Sequence, residues 1–565
     1  MASQIFCSSS TKFLVLLVFS VLCSVSFSDV LPSPTAPVSP STICKSTPYY
    51  SFCKAVLPSN NSSANVYDYG QFSIRKSLSL ARKILSLIQK TLSNSSKLTI
   101  TAVRALEDCL FLAELNIDFL LSTSNSVNTT TITLSTLQAD EVRTLLSALL
   151  TNSQTCLDGL QAASSAWSVN NGLLTPLAND TKLYGVSLAL FKAWVPKKKK
   201  LPPHPAKKQL AFRNGKLPLK MSSRNQAIYE TVSRRKLLQA ENDFVLVNDI
   251  VIVTQNGWGN FTNISAAVAA APTNTNGTTG YYLIYITAGL YQEYVSIGSK
   301  QKYIMMIGDG INRTVITGNH SVVDGWTTFN SPTFAVVGQG FVAVNITFRN
   351  TAGPIKQQAV AVRNGADLST FYSCSFEAYQ DTLYTHSLRQ FYRECDIYGT
   401  VDFIFGNAAV VFQNCNVYPR LPLSYQFNTI TAQGKTDPNQ NTGTSIQNCT
   451  IRAANDLASS NISIQTYLGR PWKEYSTTIY MHSFMDSLIN PLGWAPWSGD
   501  FALNTSYYAE FNNSGPGSNT SGRVTWPGYH NNISSTNATN YTVGTFLLGD
   551  AWLPETGVPY TSGLI

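Results

Sequence analysis

The stretches FYSCSFE (residues 371–377) and FYRECDIY (391–398) share one pattern, in which an aromatic pair lies shortly before a cysteine and a strand-prone run follows it. VFQNCNVY (411–418), SIQNCTIR (445–452) and AVNITFRN (343–350) are variations on that pattern. β-branched and aromatic residues in such short runs favour strands. A strand motif that recurs along the chain is typical of a solenoid, in which each repeat stacks on the one before.

The spacing of the repeats predicts the kind of solenoid. Cys374, Cys395 and Cys415 are separated by 21 and then 20 residues. A period of this length suits one turn of a right-handed parallel β-helix, whose coils stack about 4.8 Å apart. Stacked cysteines could bridge, so we expect a Cys374–Cys395 disulfide. A Cys415–Cys449 disulfide would follow if the coil between these residues carries an insertion.

The region before the solenoid has a different periodicity. Residues 69–190 carry apolar side chains at three- and four-residue spacings, separated by connections rich in Ser, Asn and Thr, which predicts an antiparallel four-helix bundle over about 40–190. Cys44 and Cys53 are close enough to staple a short hairpin. Cys109 and Cys156 fall on different predicted helices and could join them.

The N-terminus predicts secretion. Lys12 precedes the apolar run of residues 13–27, and small residues follow it, which is typical of a signal peptide cleaved after about residue 28. An uncleaved signal anchor is the alternative for an apolar run of this length. The chain is also rich in N-x-S/T sequons, which carry glycans only in the secretory pathway: Asn60, Asn94, Asn128, Asn260, Asn345 and Asn504 are examples.

A basic segment separates the two regions. Residues 192–236 contain fourteen Lys and Arg and one Glu, a net charge of +13, so the rest of the chain sums to −4 within the total of +9. Nucleic acid is therefore not the expected partner of the body of the protein. Residues 191–238 read as a solvated Pro/Lys-rich linker, and RRKLL (234–238) as a site for a processing protease at Arg234, Arg235 and Lys236.

One set of polar residues follows the coil period. Gln358 and Gln380 are 22 residues apart, and Asp381 and Asp402 are 21 apart, so we expect all four side chains to share one face. Two adjacent carboxylates acquire unlike pKa values, as an acid and a base or nucleophile require, and carboxamide N–H groups can stabilise an oxyanion. Arg470 offers a fixed cation. A purely structural polar ladder is the alternative interpretation.

Several motifs together resemble plant pectin methylesterases: GLYQE (289–293), QAVA (358–361), YQDTLY (379–384), GTVDFIFGNA (399–408) and LGRPWKEYS (468–476). The resemblance covers residues 245–565 and implies a right-handed parallel β-helix catalytic domain. It also implies an enzyme that removes methyl esters from the galacturonate units of cell-wall pectin, methyl-esterified homogalacturonan. No metal or organic cofactor belongs to the scheme that the resemblance implies.

The resemblance assigns a role to each matched residue. Asp402 corresponds to the nucleophile, Asp381 to the general acid and base, and Gln380 to the transition-state stabiliser. The remaining matches are for oxyanion and substrate binding, for orienting the nucleophile and for packing on the sugar: Gln358, Arg470, Trp472 and Thr328.

Residues 40–190 resemble the pectin methylesterase inhibitor domain, on the strength of four cysteines that this family pairs as Cys44–Cys53 and Cys109–Cys156. The resemblance implies a pro-domain that keeps the enzyme inactive until cleavage, and partners that include this pro-domain or separate inhibitor proteins. We expect a secreted, cell-wall protein that is not membrane-bound after signal cleavage.

Two other functions remain open on the sequence. A polygalacturonase-like glycosidase would also use carboxylates, but its Gly-His-Gly motif is absent from the sequence. A wall protein could instead use the helical domain to inhibit other esterases and carry an inactive solenoid; the intact Asp381, Asp402, Gln380 and Arg470 argue against it.

Overall fold

The structure is a computed structural model that describes residues 35–59, 63–94, 96, 98–127, 134–163, 172–194, 217–234 and 244–565. The predicted signal peptide, most of the predicted linker, and Arg235 and Lys236 of the processing site lie outside the described residues. Within the described ranges, no helix combines the length and apolarity needed to cross a bilayer.

The N-terminal region forms the predicted bundle from four long helices, α3–α6, preceded by a short helical hairpin. Capping boxes at Asn65 and Ser135 define where two of the long helices begin. Cys44–Cys53 closes the hairpin and Cys109–Cys156 joins two long helices, as the family pattern implies. The helices of the described residues are α1 Pro40–Ile43, α2 Tyr50–Val56, α3 Val66–Ser93, α4 Ile100–Val127, α5 Thr136–Ala162, α6 Leu174–Trp194, α7 Ser223–Ser233, α8 Ile264–Ala269, α9 Asn455–Ala458, α10 Ser535–Thr539 and α11 Val543–Phe546.

The C-terminal region is the predicted parallel β-helix, whose described strands form three sheets with parallel pairing throughout. The first sheet contains β1 Leu219–Lys220, β2 Val245–Val253, β3 Tyr281–Ile286, β6 Ile304–Gly308, β9 Val342–Val344, β12 Ser369–Tyr372, β15 Arg389–Arg393, β18 Ala409–Gln413, β21 Gly443–Gln447, β24 Thr477–Met481, β26 Tyr507–Phe511 and β27 Tyr529–His530. The second contains β4 Gly289–Gln292, β7 Thr314–Gly318, β10 Thr347–Asn350, β13 Ser375–Glu377, β16 Asp396–Gly399, β19 Asn416–Pro419, β22 Thr450–Ile451 and β25 Phe484–Met485. The third contains β5 Val295–Ile297, β8 Phe334–Val336, β11 Val362–Asn364, β14 Leu383–Thr385, β17 Ile404–Gly406, β20 Asn428–Gln433 and β23 Thr466–Gly469.

The repeated motif is the corner between the first and second sheets. Each corner turns on a single residue with a positive φ, a conformation that Asn adopts more readily than most residues. The residue after the turn starts the inward-facing row that contains the cysteines. The corner residues are Asn345, Ser373, Glu394, Asn414, Asn448, His482 and Asn512.

The interior of the β-helix is a continuous apolar core between the three sheets. Equivalent aromatic residues stack along it, with Phe371 against Tyr392 at a centroid distance of 5.1 Å and Tyr392 against Phe412 at 4.7 Å. These stacked rings follow the pairing of the strands, in which Phe391 of one coil pairs with Val411 of the next. The next coil is longer, since Val411 pairs with Ser445, and this is the insertion that the sequence required.

The predicted disulfides within the β-helix were wrong. Cys374, Cys395, Cys415 and Cys449 are buried free thiols. A disulfide needs Cβ atoms roughly 3.8 Å apart that face each other, whereas stacked parallel strands hold equivalent side chains about 4.8 Å apart and pointing the same way. Two of the thiols accept instead from a backbone N–H of the neighbouring coil, with 3.5 Å from Cys395 N to Cys415 Sγ and 3.3 Å from Cys415 N to Cys449 Sγ.

The prediction of a solvated linker over all of 191–238 was also wrong. Residues 217–233, here called the clasp, pack against the first sheet: β1 pairs with β2, and α7 lies on the outer face of the sheet. Leu217, Leu219 and Tyr229 are buried there, and the Tyr229 ring meets the Tyr285 ring edge-on. The buried apolar residues of the clasp therefore anchor one part of a longer segment that is basic overall. Residues 191–194 belong to α6.

Candidate active site

The two predicted aspartates lie at equivalent positions of neighbouring coils. Each precedes a strand of the third sheet by two residues, and these strands pair Leu383 with Ile404. Both aspartates have a positive φ, 62° for Asp381 and 52° for Asp402, and the Asp381 N–H donates to the Val401 carbonyl at 3.0 Å. Aspartate tolerates this left-handed conformation, which recurs at functional sites. The turn before the third sheet thus places the two carboxylates at the same position on neighbouring coils.

Asp402 is held by two residues, Arg470 and Thr429. Arg470 donates from Nε to Oδ1 at 2.8 Å and from Nη2 to Oδ2 at 2.7 Å, a bidentate ion pair. The Thr429 hydroxyl donates to Oδ1 at 2.6 Å and accepts from the Asp402 N–H at 2.8 Å. Asp402 is 6% exposed, so these contacts fix an almost buried carboxylate in one orientation.

Asp381 lies in a different electrostatic environment. Burial raises the pKa of its carboxyl well above the usual range, and the nearby charge of Asp402 raises it further, while Arg470 acts in the opposite direction. Asp402 carries the direct ion pair with the guanidinium. The pair therefore combines a carboxylate fixed by a cation with a carboxyl that keeps its proton to higher pH.

An aromatic wall borders the aspartates. It consists of Phe329, Tyr384, Phe405 and Trp472. Tyr384 stacks on Phe405 with 4.2 Å between ring centroids, and the Trp472 ring lies 6.0 Å from that of Phe405. Trp472, to which the resemblance assigns packing on the sugar, belongs to this wall. Such a surface suits the apolar faces of a sugar ring.

The two glutamines are not in register with each other. The strands β11 and β14 pair residues 21 apart, so Gln358 is level with Tyr379, one residue before Gln380. Gln380 adjoins Asp381 on the same turn. The side-chain oxygen of Gln358 is buried without a hydrogen-bond partner in the part of the chain that the structure describes. That oxygen can only accept, so the contact it leaves open is to a hydrogen-bond donor.

Comparison with known proteins assigns the β-helix. Residues 250–550, more than half of the chain, match the family model described as Pectinesterase.

The chain belongs to the pectinesterase family.

Residues 39–190 match the family model described as Plant invertase/pectin methylesterase inhibitor. The polymer-hydrolysing glycosidase and the inactive wall protein are therefore set aside in favour of a pectin methylesterase with an inhibitor-like domain.

Individual relatives share both regions. "Probable pectinesterase/pectinesterase inhibitor 41" of Arabidopsis thaliana is 61% identical over 93% of this chain and 95% of its own length. "Pectinesterase 2" of Citrus sinensis is 48% identical over 81% of this chain and 82% of its own length. The solved structure "Pectin methylesterase from Carrot" is 52% identical with a TM-score of 0.55, and it aligns over its whole length with 58% of this chain.

The inhibitor-like bundle covers the aromatic wall that borders the aspartates of this pectinesterase. Side chains of α3–α6 share one apolar cluster with the wall. Polar contacts surround that cluster: Thr155 Oγ1 lies 3.0 Å from His386 Nε2, Asn407 Nδ2 donates to Thr151 Oγ1 at 2.9 Å, and Lys473 Nζ lies 2.8 Å from Asp158 Oδ2. The cleft is therefore closed in the full chain.

Thr328, predicted to bind substrate, lies in the strip of residues 326–329 that faces the bundle. Its neighbour Thr327 donates a hydrogen bond to Asp108 of α4, and Phe111 of the same helix packs against Phe329 with 6.2 Å between centroids. Arg363 lies over the Phe329 ring at 3.6 Å. Thr328 therefore borders the cleft, beneath α4.

Several site residues were missed by sequence reasoning. Thr429 is level with Asp402 on the next coil, because β17 and β20 pair Ile404 with Thr431. The register of that coil is 27 residues rather than 21, so the repeat did not reveal it. Phe427 and Trp497 flank Arg470 at 5.8 and 4.5 Å from ring centroid to guanidinium carbon, and they lie in segments without a repeat.

Proposed function

We propose that this pectinesterase hydrolyses the methyl esters of galacturonate units through an acyl-enzyme on Asp402. The observation that supports this most is the stacked pair of aspartates with unlike environments. Arg470 fixes Asp402 by two hydrogen bonds, and Asp381 beside it has a raised pKa. A nucleophile and a proton donor are thus adjacent, as ester cleavage requires.

In the first step, an oxygen of the Asp402 carboxylate attacks the ester carbonyl carbon and forms a tetrahedral intermediate. The N–H groups of Gln380 and Gln358 stabilise its oxyanion. The intermediate collapses with cleavage of the bond to the methoxy oxygen, and Asp381 gives that oxygen its proton. Methanol leaves, and the galacturonyl group remains on Asp402 as a mixed anhydride.

In the second step, Asp381 is a carboxylate and accepts a proton from water. The hydroxide equivalent adds to the galacturonyl carbon, and the bond to Asp402 breaks. The products are a galacturonic acid group, which loses its proton to solvent and becomes the carboxylate, and a free Asp402 carboxylate. Asp381 is protonated again, with a proton from water replacing the one that left with methanol, so the two aspartates suffice for the cycle.

The experiment is a methanol-release assay on methylated pectin with the processed enzyme. We expect methanol without shortening of the polymer, and a loss of about 10⁴-fold or more in kcat for Asp402→Asn, in line with the losses caused by removing other catalytic residues that act as a unit. Asp396→Asn is the matched control, because Asp396 lies on β16 and bonds Asn416 outside the cleft. Near-normal turnover of Asp402→Asn would refute the nucleophile assignment.

We also propose that the bundle inhibits its own catalytic domain until the chain is cleaved near Arg234, Arg235 and Lys236. The contacts that cover the aromatic wall support this, because a polymer cannot reach Asp402 past them. An additional buried contact supports a specific docked position, with Arg389 bound to Asp367 at 2.7 Å and to Asp140 of α5 at 3.4 Å. The proposal places the active enzyme outside the cell, in the wall.

Replacing Arg234, Arg235 and Lys236 with Gln tests the proposal. We expect a secretory product that stays full-length, or is retained in the cell, and releases methanol at least about tenfold more slowly than the processed form. A full-length secreted chain with the activity of the processed enzyme would rule out both inhibition and the cleavage requirement.

A further inference from the structure

A stack of aromatic rings extends the strip beneath α4 away from the aspartates. Tyr294 lies parallel to His320 with ring centroids 3.6 Å apart, and His320 lies parallel to Trp326 at 3.7 Å. The Tyr294 hydroxyl donates to Asn319 Oδ1 at 2.8 Å, and the Trp326 N–H of the backbone donates to the Ser321 carbonyl at 3.2 Å. One face of the Trp326 indole is therefore held against the protein.

The opposite face of Trp326 is covered only by a side chain of the bundle among the described contacts. The Arg104 guanidinium carbon lies 3.8 Å from the indole centroid, and its Nη1 donates to the Gly325 carbonyl at 2.6 Å. Arg104 belongs to α4, one turn before Asp108, which binds Thr327. The same helix thus covers Trp326 and the cleft in one continuous contact.

Removal of the bundle would expose a flat indole face at the end of the cleft. Trp326 is two residues from Thr328 and three from Phe329 of the aromatic wall. Beside His320 of the stack lies an open cavity of about 380 Å³, lined by polar groups that include Asn319, Thr351 and the ion pair of Lys356 with Asp324. A cavity of this volume falls in the range of small-ligand sites. A polymer that extends beyond the aromatic wall therefore meets both a stacking surface and hydrogen-bonding groups.

We propose that Trp326 is a substrate-binding platform on which a galacturonate ring of the pectin chain stacks, remote from the ester that reacts. Arg104 of the bundle occupies this platform in the uncleaved protein. The inference rests on the proposed function, because it takes pectin as the occupant. The inference adds a binding contact that favours long pectin chains over short ones. It also names Arg104 as the residue of the bundle that blocks this contact.

The test compares polymer with a methyl-esterified dimer or trimer, using the processed enzyme purified from a plant cell host. For Trp326→Ala we expect KM for polymeric pectin to rise about five- to tenfold, the size expected for one lost aromatic contact, with kcat nearly unchanged. KM for the short substrate should not change. Trp326→Phe should restore most of the affinity, and Trp258→Ala, at another exposed tryptophan, is the matched control.

Three results would overturn the inference. These are an unchanged KM for polymer, an equal rise in KM for both substrates, and a fall in kcat for both; the last two would indicate that the ring only supports the loop. Trp326→Leu replaces Trp326→Ala if that variant does not fold, because leucine still packs on His320. A wild-type enzyme without methanol release would refute the proposed function instead, and is thereby distinguished from a failure of this inference.

In the uncleaved chain, Arg104→Ala should weaken the hold of the bundle on the cleft. We expect the residual methanol release of the uncleavable protein to rise by about threefold or more, since a cation–aromatic contact and a hydrogen bond are both lost. Lys83→Ala on α3, at an exposed lysine, provides the control. Equal residual rates for the two variants would argue that Arg104 does not guard the platform.

Discussion

At the scale of single residues, the chemistry depends on giving two stacked carboxyl groups unlike properties. Arg470 and Thr429 bind Asp402 directly, and burial raises the pKa of Asp381. Two parallel hydrogen bonds form this ion pair, and it is partly buried. The orientation of the guanidinium therefore matters more than its charge alone. The proposed assignment of nucleophile and proton donor rests on which aspartate the arginine contacts.

Arg470 should be more than a counter-charge. In Arg470→Ala we expect kcat to fall by about 100-fold or more, because an almost buried carboxylate loses its cation and its orientation. Arg470→Lys should recover only part of the rate, since an ammonium cannot form the two parallel hydrogen bonds.

Methanol-release kinetics measure both changes, with Arg452→Ala as a control at an exposed arginine. A lysine variant with full activity would show that charge alone is sufficient.

The raised pKa of Asp381 has a definite consequence for pH dependence. The first step needs Asp381 protonated, so kcat/KM of the processed enzyme should fall as pH rises through the pKa of that carboxyl. Because the charge of Asp402 raises this pKa with or without the bundle, the falling limb should lie above about 4, where an unperturbed aspartate titrates. A limb that falls near pH 4 would contradict the assigned proton donor.

At the scale of secondary-structure elements, the coil register explains what could be predicted from the sequence. Asp381 and Asp402 were predicted to stack because their coil has the same length as its neighbour. Thr429 was missed because the following coil is longer. The free cysteines show the converse: spacing correctly placed them in one row, but spacing does not report that parallel side chains cannot face each other.

The clasp should slow the release of the bundle after cleavage near Arg234 and Lys236. It lies on the bundle side of the cut, yet β1 pairs with β2 and Tyr229 is buried on the first sheet. We expect the two cleaved fragments to co-elute in gel filtration at first and to separate with time as methanol release rises, and Tyr229→Ala to release the bundle sooner, because large-to-small changes at buried aromatic residues cost about 3–5 kcal/mol.

Lys220→Ala, at an exposed clasp residue, is the control. Immediate separation of wild-type fragments would mean that the clasp does not hold.

At the scale of the whole molecule, the two domains close over the catalytic cleft, and this arrangement was not predictable from the patterns of either domain alone. Periodicity identified a bundle and a solenoid, and family resemblance implied inhibition. The helix that faces the cleft is selected by individual side chains such as Asp108 and Phe111. Their spacing also fits the helical periodicity of the bundle, so it does not mark them as contacts with the other domain. Docking is determined by the surfaces after folding, so no local signal in the chain reports it.

Docking of the bundle should weaken as pH rises. Burial raises the pKa of Asp108 to about 7, while Thr327 and Arg363 oppose the shift and Glu107 adds to it. A carboxyl with a higher pKa in the docked state binds an extra proton there, so docking is favoured below the undocked pKa and progressively loses this contribution as pH rises toward about 7.

Fragment dissociation measured between pH 5 and pH 8 should accelerate in the wild type and change less in Asp108→Asn. An equal acceleration in both would assign the pH dependence to another group.

The most direct test of the central claim is the site of the covalent adduct during turnover. The processed enzyme is mixed with a short methyl-esterified oligogalacturonide, quenched in acid within one turnover, digested and analysed by mass spectrometry. The account predicts that the peptide containing Asp402 gains the mass of the oligosaccharide less methanol, and that Asp402→Asn shows no adduct. An adduct on the peptide containing Asp381 would contradict it.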